Sequence, residues 1–247
     1  MEDLSIIVGV IGNIISVLMF LSPTGTFWRI FRRKSTEDFD SLPYICTFLN
    51  SSLWTYYGII KPGAILVATV NSFGVLVETI FIVMFLIYAP SKMKARTGIL
   101  VSIIDVGFLA AAILVTQLLM KGDVRIDVVG FLGAGLNIIM YGSPLGIMKT
   151  VVTTKSVEFM PFFLSLFMFL NGGVWTFYAY LVKDIILGIP NGTGFLLGTA
   201  QLLLYAIYRD KKPSKSTSDG LEGGSGWQHE PLLQSSSQAQ PQGVNDP

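Results

Sequence analysis

The sequence predicts an all-α membrane protein: seven transmembrane helices, arranged as two parallel three-helix repeats joined by a linker helix. Three observations carry this. Of 247 residues, 51% are hydrophobic and 13% charged, against roughly 25% charged in a soluble domain, and the mean hydropathy is +0.61. Seven apolar runs each approach the ~20 residues needed to cross about 30 Å of hydrocarbon. One stretch is also written twice. Gly9/Gly130, Gly12/Gly133, Ser22/Ser143, Pro23/Pro144, Lys34/Lys155, Ser35/Ser156, Glu37/Glu158, Asn50/Asn171, Trp54/Trp175 and Tyr57/Tyr178 are each 121 residues apart, and Asn71/Asn191 and Tyr88/Tyr208 are 120 apart. That many identities at one register mark a duplicated unit.

The spans are expected at residues 4–30, 42–60, 64–89, 98–120, 128–152, 162–182 and 185–208. The first three make repeat one (residues 1–97) and the last three repeat two (126–211). The fourth, unmatched, is the linker (98–125). A single linker span returns the second repeat in the orientation of the first, so the repeats are parallel about an axis along the membrane normal.

Basic residues orient the bundle. Arg29, Arg32, Arg33, Lys34, Lys92, Lys94, Arg96, Lys149, Lys155, Arg209, Lys211, Lys212 and Lys215 follow spans one, three, five and seven, whereas Lys61, Lys121, Arg125 and Lys183 alone mark the other face. The positive-inside rule then places the C-terminus in the cytoplasm and the N-terminus outside it. The start, MEDLS, lacks a basic region and is expected to remain as part of a span rather than a cleaved signal. Residues 212–247, rich in Ser, Gly, Gln and Pro, are expected to be a disordered cytoplasmic tail. Within it Glu230-Pro231-Leu232-Leu233 resembles a dileucine sorting signal.

Several function classes drop out. A net charge of +1 offers no field for nucleic acid. One cysteine, Cys46, allows no internal disulfide or Cys-rich zinc site. The single histidine, His229, lies in the tail, so no His-dependent triad is available within the membrane. Neither paired carboxylates nor a metal-ligand cluster appears. No enzyme activity, cofactor or metal is expected.

Polar side chains far from the ends of spans must find partners or line a wet cavity. Ser16 lies two turns before Pro23, and Asn50 two turns after Pro43, with Trp54 and Tyr57 further along. The second repeat supplies Asn137, Asn171, Trp175 and Tyr178, and the third spans add Asn71 and Asn191. Two indoles and several amides, duplicated about an axis, suit an uncharged polyhydroxylated ligand: aromatic faces stack on the C–H faces of a sugar, and amides bond its hydroxyls. The bland alternative is interhelical hydrogen bonding and packing. Pro23, Pro43, Pro144 and Pro161 weaken helices toward the cytoplasmic side and suit an inner gate, although Pro43 and Pro161 also read as helix starts. Tyr57 and Asp184 are paired by depth as an outer closure. Glu78 is read as locally hydrogen-bonded rather than a proton relay, and Asp105 is the other charge within a span. The sequons at Asn50 and Asn191 fall inside spans and are read as false matches. Gly194 and Gly198 suit close helix packing.

GNIISVLMFLSP, KSTEDFDSLPY, LWTYYG, TVNSFG, TKSVEFMPF, LNGGVW and PNGTGFLLG resemble the plant SWEET sugar transporters (MtN3/saliva family), over residues 5–209. Parallel repeats are a known property of SWEETs. The resemblance implies a uniporter whose two bundles alternate a central site between the two sides. It implies Asn71, Asn191, Trp54, Trp175, Ser16, Met19, Asn50, Asn137, Met140 and Asn171 as substrate-binding positions, and the four prolines as a gating tetrad. Asparagine at 50, 137 and 171, where sucrose carriers have smaller residues, favours fructose or glucose. The wording is similar to the fourth, vacuolar clade, with the plasma membrane as the alternative location. Association with itself or with other SWEETs is expected. The rival readings are a proton-coupled small-solute exporter of PQ-loop type, a SWEET carrying sucrose, and a seven-helix receptor.

Overall fold

The computed structural model describes residues 2–209. The tail expected at 212–247, with His229 and the dileucine-like element, lies outside the described residues. The chain runs α1 (Glu2–Leu21), α2 (Thr24–Arg33), α3 (Leu42–Ile60), α4 (Ile65–Tyr88), α5 (Ser91–Leu100), a π-helical stretch (Val101–Phe108), α6 (Leu109–Leu119), α7 (Gly122–Met140), α8 (Gly142–Thr154), α9 (Phe162–Leu181) and α10 (Ile185–Tyr208).

Among the described residues six helical stretches are long and apolar enough to cross a membrane: Asp3–Arg33, Ile65–Tyr88, Ser91–Leu119, Gly122–Thr154, Phe162–Leu181 and Ile185–Tyr208. The seventh, α3, has 19 residues, about 28 Å at 1.5 Å per residue. It carries Asn50, Ser51, Ser52, Trp54, Tyr56 and Tyr57, and this polarity lowers its hydropathy because its inner face turns to the cavity described below. Large apolar side chains such as Ile14, Leu118, Leu119, Phe131 and Ile139 are exposed on the outside of the bundle, the surface expected to meet lipid.

The structure corrects three boundaries. The run 4–30 is two helices. Pro23 has no N–H to continue the ladder, so the chain turns at Ser22, whose N–H bonds the Met19 carbonyl at 3.1 Å. The run 128–152 likewise divides at Tyr141, where α7 gives way to α8 three residues before Pro144. The linker starts at Ser91, not 98. Pro90 caps that helix, and its first turns, carrying exposed Lys92 and Lys94, were too polar to register as a span.

α2 and α8 both end in a left-handed lysine, Lys34 at φ 54° and Lys155 at φ 57°. Each lysine reaches the tyrosine at the end of its repeat's last helix, Lys34 to Tyr88 at 3.2 Å and Lys155 to Tyr208 at 3.3 Å. This end of the molecule is the basic end. At the opposite end, tight turns join α3 to α4 and α9 to α10.

Within each repeat the second and third spans pack most intimately. A Cβ on Gly58 would lie 2.5 Å from the Ala68 nitrogen, and one on Gly172 2.5 Å from the Phe195 nitrogen, so backbones touch where only glycine fits. The first spans cross over. α1 packs on α4 of its own repeat and α9 of the other, while α7 packs on α10 and α3. Gly12 faces the Trp175 indole and Gly133 the Trp54 indole; Gly9 faces Tyr178 and Gly130 faces Tyr57. The duplicated glycines and aromatics thus meet across the pseudo-twofold axis. Among the described residues the linker packs mainly against α3 and α4, and its main contact with repeat two is where α6 turns into α7.

Candidate functional site: a central cavity sealed at one end

The crossed arrangement encloses a cavity of ≈ 420 Å³, within the roughly 300–1,000 Å³ common for small-molecule sites. Ser16, Met19, Asn50, Trp54, Asn71, Asn137, Met140, Asn171, Trp175 and Asn191 all line it. The duplication explains this convergence: equivalent faces of equivalent helices turn to the same axis.

The two third spans act alike. Asn71 Nδ2 donates to the Val67 carbonyl at 2.8 Å, and Asn191 Nδ2 donates to the Leu187 carbonyl at 2.8 Å. A backbone carbonyl needs a donor, so these bonds set the amide orientation. Each amide keeps a carbonyl oxygen and a second N–H for the cavity.

The symmetry breaks at Ser16, the counterpart of Asn137. Ser16 Oγ donates to Asn171 Oδ1 at 2.6 Å and accepts from Trp175 Nε1 at 2.9 Å. This chain ties α1 to α9 and fixes one indole. The counterpart of Asn171 in repeat one, Asn50, has no such bond: its Oδ1 is buried without a protein partner.

Trp54 meets Tyr57 edge-on at 5.2 Å, and Trp175 meets Tyr178 at 5.3 Å. Beyond these pairs the cavity closes. Tyr57 donates to both Asp184 oxygens at 2.9 Å. Lys61 Nζ lies 2.6 Å from Asp184 Oδ2 and donates to Tyr57 Oη at 2.7 Å. Asp184 also accepts from the Leu187 N–H at 3.1 Å and so caps α10. The carboxylate serves three donors, and among the described residues this cluster occurs once: the matching cap of α4, 120 residues earlier, is Ala64, and Tyr178 makes a long 3.5 Å bond to the Gly63 carbonyl. Tyr57, Tyr178 and Asp184 are buried. Toward the basic end the lining runs on to Ser22, Pro23, Pro43, Tyr44 and Thr47.

The prolines divide. Pro23 and Pro43 line the cavity. Pro144 is buried at the third position of α8 and Pro161 caps α9; neither is in the lining. Asn50 and Asn191 lie within α3 and α10, as the reading of their sequons required.

Sequence reasoning missed three contributors and misassigned a fourth. Lys61 is one turn after Tyr57, a spacing that could have found it. Phe20 and Tyr141 line the cavity at the repeat offset but are not identical. The Tyr141 hydroxyl donates to the Pro190 carbonyl at 2.7 Å. Glu78 departs from its expected local hydrogen bond: it lines the cavity, and its Oε2 is buried without a partner. Both oxygens of Asp105, in the π-helical stretch, are also buried without partners. Among the described residues there is no cluster of three or more His, Cys, Asp or Glu side chains able to hold a metal.

Comparison with known proteins follows the same outline. A family model described as sugar efflux transporter for intercellular exchange (MtN3_slv) matches residues 6–93 and 127–213, the two repeats without the linker. The bidirectional sugar transporter SWEET17 of Arabidopsis thaliana is 58% identical over 214 residues, 86% of this chain and 89% of that protein. SWEET16 of the same plant is 55% identical, over 90% of this chain and 96% of its own length. The solved structure of a eukaryotic SWEET transporter superposes with a TM-score of 0.81 at 38% identity, covering 85% of this chain and 99% of that one. With both repeats matched, and the fold in common over nearly the whole described chain, the protein belongs to the MtN3/saliva family, the SWEETs.

Proposed function

We propose that this protein carries hexoses, fructose and glucose, down their gradient in either direction, by alternating access of the central cavity. One observation carries the reading: a duplicated set of amides and indoles lines a single cavity, which a hydrogen-bonded cluster closes at one end only. The relatives named bidirectional sugar transporters support sugar as the substrate. Asn50, Asn137 and Asn171 narrow the space and add hydrogen bonds, which favours one ring over two. Asn71 and Asn191 are the central hydroxyl-binding pair, and Trp54 and Trp175 stack on the ring. Tyr57, Lys61 and Asp184 form one gate, and Pro23, Pro43, Pro144 and Pro161 the hinges of the other. The basic end faces the cytoplasm by the positive-inside rule. The vacuolar membrane is the favoured location. Self-association or association with other SWEETs belongs to the same proposal, supported by the exposed Gly135, Gly142 and Gly146, which leave room for close approach.

The test is uptake of radiolabelled fructose, glucose and sucrose in yeast lacking hexose carriers, with and without a proton ionophore. Hexose uptake indifferent to the ionophore is expected, and Asn71→Ala or Asn191→Ala abolishes it while the protein still reaches the membrane. Sucrose uptake without hexose uptake overturns the size argument. Collapse with the ionophore favours the proton-coupled reading. Normal flux in both asparagine variants removes them from the site.

A further inference from the structure

We propose that Glu78 is a second hydroxyl-binding station on the sugar path, at the basic end of the cavity and separate from the Asn71–Asn191 pair. The proposal rests on the transport reading above. Glu78 follows Asn71 by seven residues on α4, which places it about 10 Å further along the same face. It lines the cavity beside Pro43 and Tyr44 and is 3% exposed. Its Oε2 is buried and has no protein partner. A buried polar atom without a partner weakens the fold, so folding gives no reason for a carboxyl group here, whereas a hydroxylated ligand supplies the missing donor. As a carboxylate the group accepts from hydroxyls; as an acid it also donates.

The station exists on one side only. Its counterpart in repeat two is Gly198, where a Cβ would lie 2.6 Å from the Phe169 nitrogen, so α9 leaves no room for a side chain. Asn50 Oδ1, also without a partner, belongs to repeat one as well. Among the described residues Glu78 is the one carboxyl group on the cavity lining, and a sugar in this nearly symmetric cavity is oriented by it. The separation from Asn71 exceeds one hexose ring, so a hexose visits Glu78 on the way to or from the centre. For an uncharged solute carried passively, detailed balance fixes the ratio of kcat/KM in the two directions at one, so loss of the station changes kcat/KM by the same factor from each side without creating net pumping.

The experiment uses the full chain in hexose-carrier-free yeast, with labelled glucose and its 2-, 3-, 4- and 6-deoxy analogues. Glu78→Met keeps length and removes the oxygens; Glu78→Gln keeps one acceptor. In Glu78→Met the KM for glucose rises about tenfold, the worth of one hydrogen bond to a sugar hydroxyl. The analogue lacking that hydroxyl has the same KM in both proteins, and Glu78→Gln recovers most of the difference. Thermal stability of Glu78→Met in detergent is equal or higher, because an unpaired buried polar group is gone. An unchanged KM for glucose in Glu78→Met overturns the station. So does a rise by one common factor for every sugar, or a stability loss with failure to reach the membrane, either of which makes Glu78 structural. A wild-type protein that moves none of these sugars overturns the transport reading and the station together; wild-type flux with an indifferent Glu78→Met overturns the station alone.

Discussion

Asp184→Asn removes the charge from the buried carboxylate that Tyr57 and Lys61 hold at the closed end of the cavity. Three donors converge on it: Tyr57 Oη, Lys61 Nζ and the Leu187 N–H. Asparagine retains an oxygen for the cap of α10 but loses the ion pair and weakens the tyrosine bond. Breaking a fully buried pair from one side costs about 3–5 kcal/mol. Asp184 is buried, but the Lys61 side chain is 26% exposed, so water recovers part of its solvation and about 2–3 kcal/mol is the expected loss. At about 1.4 kcal/mol per tenfold, this moves the balance between closed and open mouths roughly 30- to 150-fold toward open. The assay places a cysteine at Val67, which lines the cavity and is 1% exposed, in a Cys46→Ser background. A membrane-impermeant maleimide is applied from the Tyr57 side. Its labelling rate rises at least tenfold when Asp184→Asn is added. A rate within threefold of the parent would show that the carboxylate does not hold this mouth shut.

Two further substitutions read the packing. Gly58→Ala and Gly172→Ala each push a methyl to 2.5 Å from a backbone nitrogen, so each lowers thermal stability in detergent by the equivalent of about 1–3 kcal/mol. Gly135→Ala meets nothing within 4 Å and raises it slightly; equal effects at all three would contradict the packing described. Ser16→Ala strands the Trp175 N–H and the Asn171 carbonyl together, a loss of about 1–3 kcal/mol. It raises the KM for hexose several-fold, whereas Ser102→Ala, on the exposed linker where the hydroxyl bonds the Gly98 carbonyl of its own helix, leaves KM unchanged.

The helical membrane class and the two repeats were legible because apolar run length and residue identity at one offset are properties of the chain itself. For the same reason the asparagines and tryptophans fell together: identical residues on equivalent helices must approach the axis alike. The breaks at Ser22 and Tyr141 were half legible: Pro23 and Pro144 mark a weakened ladder, but hydropathy does not register where one helix stops and the next begins. Partners across the repeats were also hidden. Nothing in the sequence says that Ser16 reaches Asn171 rather than Asn50, because that choice is made by α1 crossing to α9. Lys61 escaped for a simpler reason: it has no counterpart at the repeat offset; Glu78, equally unmatched, stands out in the sequence as a charge within a span, but nothing there shows that it faces the cavity. The same two residues mark where function departs from symmetry.

The linker divides the molecule unequally. Its helix is almost wholly unburied, with 6% of its span inside the protein, and its contacts beyond the connecting turn are with α3 and α4. One half of the molecule therefore presents four spans to the bilayer and the other three. When the halves rock, they displace unequal areas of acyl chains, and the wider half does more work against lateral pressure. Bilayer thickness and composition would thus weight the two ends of the proposed cycle differently, adding to the one-sided Asp184 cluster a further bias in how long the carrier waits on each side, without any bias in where the sugar comes to rest.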